Sequence, residues 1–213
     1  MNSPRGKTLT LALTSEDRYL PVAVNFAENS ARAFGLGNTE ALHLRLAVEE
    51  IFSYISRSVC AGEGIRIECA NGVYYTQVCF RLPVSKLNLG GFNITSSFSY
   101  DSESDLEEMG LMLASQSVDH LQIRSEGNQR ISLILKKEKA YPESVERVSV
   151  PQDAEGLETE TPDAEKLKVF SLLAAGSDPA APNLFKYPGK VVDMAASGEC
   201  FPIIAVNGRR EIV

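Results

Sequence analysis

Residues 38–59, NTEALHLRLAVEEIFSYISRSV, decide the fold class. Leu44, Val48, Ile51, Ile55 and Val59 recur at three- and four-residue intervals, so a 3.6-residue helix gathers them into one apolar stripe. Asn38 or Thr39 stands where a cap accepts the unpaired N–H groups of the first turn. Such a stripe needs a surface to pack on, and the flanking sequence supplies a sheet. Upstream, Leu9, Leu11 and Leu13 alternate with small or polar residues, the period of a half-buried strand. Between strand and stripe, Leu20, Val24, Ala27, Ala31 and Phe34 predict another helix, capped by Ser15 with Glu16 and Asp17 in its first turn and closed by Gly35 and Gly37. Downstream, 65–70 and 73–82 flank Asn71-Gly72, the pair suited to a two-residue type I′ turn because both positions need positive φ. That turn sets Cys69 opposite Tyr74, away from Cys79. Residues 83–104 form a long connection containing Ser, Asn and Gly. A third helix over 105–117 follows, with Leu106, Leu113 and Met109 or Gly110 inward, then strands at 121–124 and 131–135 joined at Glu126-Gly127-Asn128. This order predicts an α+β fold with helices packed on one face of a mostly antiparallel sheet.

At 213 residues the expectation is one domain plus an appendage, and 44% hydrophobic residues suffice for a core. No apolar run approaches the roughly 20 residues of a membrane span. The N-terminal run is broken by Thr and Ser, unlike a signal peptide, so a cytoplasmic protein is expected. A net charge of −7 argues against nucleic acid or an anionic membrane as partner, since both reward clustered Lys and Arg. Cys60, Cys69, Cys79 and Cys200 have neither Cys-x-x-Cys spacing nor a nearby His pair and read as buried thiols; no metal site is expected. His43 and His120 have no second ligand at metal spacing and read as structural. Residues 141–165 hold eight acids against Arg147 alone, with three prolines and few large apolar groups, which predicts a linker between 1–140 and 166–213.

The element order, with LRLAVEEIFSYISRSV on the second helix and EEMGLMLASQSVDHLQI on the third, resembles the GHKL ATPase fold. Within that superfamily it is most similar to the small bacterial anti-sigma factor serine/threonine kinases, over about residues 6–138. The resemblance implies a nucleotide site whose second helix carries a Glu as general base and, four residues later, an Asn that holds Mg²⁺. Here those positions are Glu50 and Tyr54, with Ser58 a further turn on. A protonated phenol is a poor ligand for a cation that demands hard oxygens. The family's adenine-binding Asp-x-Gly falls on Leu82 and Val84, and leucine accepts no hydrogen bond. Its phosphate-cradling Gly-x-Gly-Leu reads Glu108-Met109-Gly110-Leu111, where Glu108 brings an anion to the phosphate position. The site is therefore expected to be degenerate, with no cofactor; ATP or ADP with Mg²⁺ belongs to it only if it functions.

Tyr54 bonds Glu50 across one turn or plugs a pocket that no longer takes ligand, and Glu50 itself reads either as a residual base or as a solvated or salt-bridged surface acid. The resemblance implies a regulatory protein-binding module acting in transcription regulation, with a sigma factor or an anti-sigma antagonist as partner and a homodimer as a further expectation. Phe92 and Phe98, interleaved with polar residues in the long connection, are the expected interface residues. The alternative is an active ATP-dependent serine/threonine kinase, with Glu50 as base and Gly110 at the phosphates.

The segment LFKYPGKVVDMAASGECFPIIAVNGRREIV resembles the opening of a GNAT-type acetyltransferase. The resemblance implies a strand over Lys168–Leu173, a helix over Pro188–Ala196 and a strand over Phe201–Val206 that turns at Asn207-Gly208 into 209–213, a small αβ appendage. The N-terminal part of an acetyltransferase fusion is the remaining alternative, without the Gly-rich loop that binds acetyl-CoA.

Overall fold

The computed structural model describes residues 7–58, 62–83, 103–127, 130–144, 155–177 and 180–213, the side chains of 103–108 excepted. The chain is α+β and divides into two compact units, one ending at Ala140 and the other beginning at Tyr141.

The first unit runs β1 (Thr8–Thr14), a 3₁₀ turn (Asp17–Tyr19), α1 (Leu20–Ala33), α2 (Asn38–Ser58), β2 (Gly64–Asn71), β3 (Tyr75–Pro83), α3 (Glu103–Ser117), β4 (His120–Gly127) and β5 (Arg130–Glu138). Its sheet has the order β1-β2-β3-β5-β4, and every neighbouring pair is antiparallel. Register turns the alternating patterns into rows. Leu11, Ile67, Phe80, Leu133 and Ile123 line up across all five strands, and Leu9, Cys69, Val78, Leu135 and Leu121 form the next row. Apart from Leu9, which is exposed, these rows meet Leu44, Val48, Ile51, Phe52 and Ile55 of α2 and Ala23, Val24, Ala27 and Ala31 of α1 in one core. Each large apolar side chain removed from water there contributes about 1.5–3 kcal/mol.

The caps differ in part from expectation. Ser15 caps no helix: the chain enters α1 through the 3₁₀ turn, which starts after Glu16 without a side-chain cap bond, and Pro21 lies in the first turn of α1, where its missing N–H leaves no bond unmade. At the other end Gly35 takes φ 90° and the Leu36 N–H reaches back to the Ala31 carbonyl at 3.0 Å, which ends the helix as the sequence predicts.

The hairpin between β2 and β3 does not turn at Asn71-Gly72. Cys69 pairs with Val78, not Tyr74, and Asn71 pairs with Thr76. The Gly72 N–H donates to the Tyr75 carbonyl at 2.8 Å, so Val73 and Tyr74 make the bend. Among the described residues neither Asn71 nor Gly72 has positive φ. Gly72 is needed for space: a Cβ there would lie 2.7 Å from the Tyr75 ring.

The second unit comprises β6 (Glu158–Glu160), α4 (Ala164–Ser177), a 3₁₀ turn (Asn183–Lys186), α5 (Pro188–Ser197) and β7 (Ile204–Val206). Here the structure corrects two expectations. Lys168–Leu173 is helix, not strand: the Asp163 carboxylate accepts the Lys166 N–H at 2.8 Å, its carbonyl accepts the Leu167 N–H at 2.9 Å, and Leu167 and Ser171 then fall one turn apart on the buried side. The expected linker is also partly built into this unit. Glu158–Glu160 pairs with β7, the Glu155 carbonyl accepts the Gly208 N–H at 3.0 Å, and the Ser144 N–H donates to the Lys186 carbonyl at 2.9 Å. Backbone pairing of three residues needs no apolar side chain, so acidic composition gives no sign of it. Residues 145–154 lie outside the described residues. The helix at 188–197 forms as expected, with Pro188 in its first turn and Gly198 left-handed at its end. The following strand starts at Ile204, leaving Phe201 and Ile203 exposed. Leu173, Ile204, Val206 and Ile212 form a separate small core.

Candidate functional site

The structure brings together two of the residues that the sequence singles out. Glu50 on α2 lies against Gly110 on α3, where a Cβ would stand 2.6 Å from the Glu50 Oε2 atom. Gly110 thus admits a carboxylate between two packed helices. Tyr54, one turn along α2, is 3% exposed and belongs to the main core. Leu82 on β3 is fully buried in the same core and pairs with Ile131. The Glu108 side chain, Val84, Phe92 and Phe98 lie outside the described side chains.

These residues do not fit a magnesium nucleotide. Tyr54 and Leu82 would have to supply a metal ligand and an adenine acceptor, yet a phenol and an isobutyl group stand there, both packed into the core. What remains is a carboxylate beside a glycine. His43 is exposed on α2, and His120 Nε2 lies 3.7 Å from a Glu138 oxygen. Among the described residues no three His, Cys, Asp or Glu side chains gather as a metal site, and no helix is long and apolar enough to cross a membrane.

A second constellation lies on the face of the sheet turned away from the helices. Arg66, Arg81, Ser132 and Arg124 form one row across β2, β3, β5 and β4. The Arg81 Nε donates to Glu68 at 3.1 Å, and another of its nitrogens donates to Glu126, which also accepts the Ser132 hydroxyl. The Ser132 hydroxyl and then Arg81, with the nearby Arg130 charge, hold the Glu126 carboxyl below the ordinary glutamate range. Cys79 sits on this face and Cys69 on the other; burial pushes both thiols up, Cys69 to about 12. Sequence reasoning misses the arginine row. Alternation of Arg66 and Glu68 with Ile65 and Ile67 shows that they face outward, but only register shows what they face.

The second unit has an apolar groove of about 470 Å³, lined by Leu167, Val192, Ala195, Phe201, Pro202 and Ile203 among others. Compared with known proteins, the chain matches no family model and no curated protein.

Proposed function

We propose that residues 6–140 form a non-enzymatic regulatory module that binds a protein partner, similar in fold to anti-sigma factor kinase domains but without their nucleotide chemistry. The observation that carries this reading is the burial of Tyr54 and Leu82 in the main core at the two positions where the resemblance requires polar ligands. Glu50 then serves the contact between α2 and α3 at Gly110. By the same resemblance the partner is a sigma factor or an anti-sigma antagonist in the cytoplasm, and the module self-associates as a homodimer.

The Glu50–Gly110 contact is the one observation that favours the kinase alternative, since a carboxylate next to a glycine could stand beside a phosphate. Thermal unfolding with Mg-ATP and Mg-ADP separates the two. A ligand at 100 times its Kd adds about 2.7 kcal/mol, several degrees for a domain of this size. The module should show no magnesium-dependent rise at millimolar nucleotide. A clear rise with Mg-ATP that is lost in Glu50→Gln would replace this proposal by the kinase.

A further inference from the structure

The outer face of the sheet carries Arg66, Arg81, Arg124 and Arg130 against Glu68 and Glu126. Arg81 is accounted for by its two ion pairs. Arg66 and Arg130 are both exposed; neither guanidinium makes a direct hydrogen bond or close ion pair with another described residue, although the Arg130 charge acts on Glu126. Yet Arg66, Arg81 and Arg130 line one cavity of about 210 Å³, together with Ala12, Gly64 and Glu126. Glu126 is the sole carboxylate among its described lining residues, and its Oε1 accepts from both Ser132 and Arg81. With Glu68 counted beside Glu126, both paired to Arg81, three guanidinium groups face two carboxylates and leave one net positive charge at a shared space.

From this geometry we infer that the cavity is a binding site for an oxyanion of the phosphate class. Guanidinium forks match tetrahedral and planar oxyanions by paired N–H donation, and the Arg66 and Arg130 forks, neither hydrogen-bonded to another described side chain, supply that geometry here. The size agrees: a space of about 210 Å³ is large enough for one phosphate group. Small residues keep it open, and a Cβ built at Gly64 would meet nothing within 4 Å. The net charge of −7 works against indiscriminate anion attraction, so affinity must come from this local arrangement. The site lies on the opposite face of the sheet from Glu50 and stands whether or not the regulatory reading does.

The test is calorimetric and thermal titration of the full chain with inorganic phosphate, against sodium chloride at matched ionic strength. Phosphate should bind and raise Tm beyond the chloride control. Arg66→Gln and Arg130→Gln should each weaken binding about tenfold, the scale of a lost charge-assisted hydrogen bond. Arg124→Gln, on the same face but outside the cavity lining, should leave it unchanged. Without phosphate Arg66→Gln should melt no lower than the parent, whereas Arg130→Gln, which loses its attraction to Glu126, should melt slightly lower; if either fails to fold, the corresponding Lys variant, which keeps the charge but loses the fork, takes its place. A phosphate response no greater than that of chloride, or one undiminished in both variants, overturns the inference. O-phosphoserine distinguishes the source: tighter binding than inorganic phosphate assigns a phosphomonoester, weaker or equal binding assigns the free ion.

Discussion

Glu126 accepts hydrogen bonds from Ser132 and Arg81 at the centre of the outer-face network, and these hold its carboxyl below the ordinary value of about 4.3. A depressed folded-state pKa contributes stability that is present above the unfolded value and is lost as pH falls through the folded one. Its side chain is 30% exposed, so solvent screens the pair and the contribution is modest. Glu126→Gln should therefore lower Tm near neutral pH, with the gap closing below about pH 4; melts of parent and variant from pH 7 to 3 check this, and a gap independent of pH would mean that packing, not charge, is responsible. At the same scale, the chemistry of Glu50, Tyr54 and Leu82 is legible in the sequence, because a phenol or an isobutyl group has the same ligand properties wherever it sits. Their burial is not legible, since it depends on what packs over them.

The β2–β3 hairpin shows where element reading succeeds and fails. Both strands form where alternation places them, but the observed pairing is displaced by four residues from the one an Asn71-Gly72 turn would impose. An even displacement keeps every side chain on its own face, so the hydrophobic pattern is blind to it. At the bend the Tyr75 ring lies over Gly72, where a Cβ would stand 2.7 Å from it. Gly72→Ala puts a methyl group against that ring and should cost about 1–3 kcal/mol. In a Tyr75→Ala background the same change should cost much less, and a double-mutant cycle by urea denaturation measures the difference. A cost unaffected by removing the ring would assign the effect to backbone conformation instead. In α4, the apolar run of Lys168–Leu173 suits strand or helix equally by period, and the Asp163 cap tips it to helix.

At the scale of the whole molecule, the main core draws, among the described residues, only on residues between Leu11 and Leu135, and the second core only on residues between Phe170 and Ile212. A chain ending at Ala140 should therefore fold by itself, unfolding cooperatively within a few degrees of the matching transition in the full chain. Calorimetry of both decides it, and loss of the transition in the shorter chain would show that the first unit needs the second. The sequence by itself determined the α+β class, the three helices of the first unit and the apolar side chain of Leu82 and the phenol of Tyr54, because period and side-chain chemistry are local properties. Only the tertiary structure decided the strand order, the hairpin register, the helix at Lys168–Leu173, the place of Glu158–Glu160 in a sheet, and the gathering of Arg66, Arg81 and Arg130 around one cavity. Those depend on which distant backbone pairs with which, and residues 15 to 64 apart in the chain become neighbours only once that pairing is made.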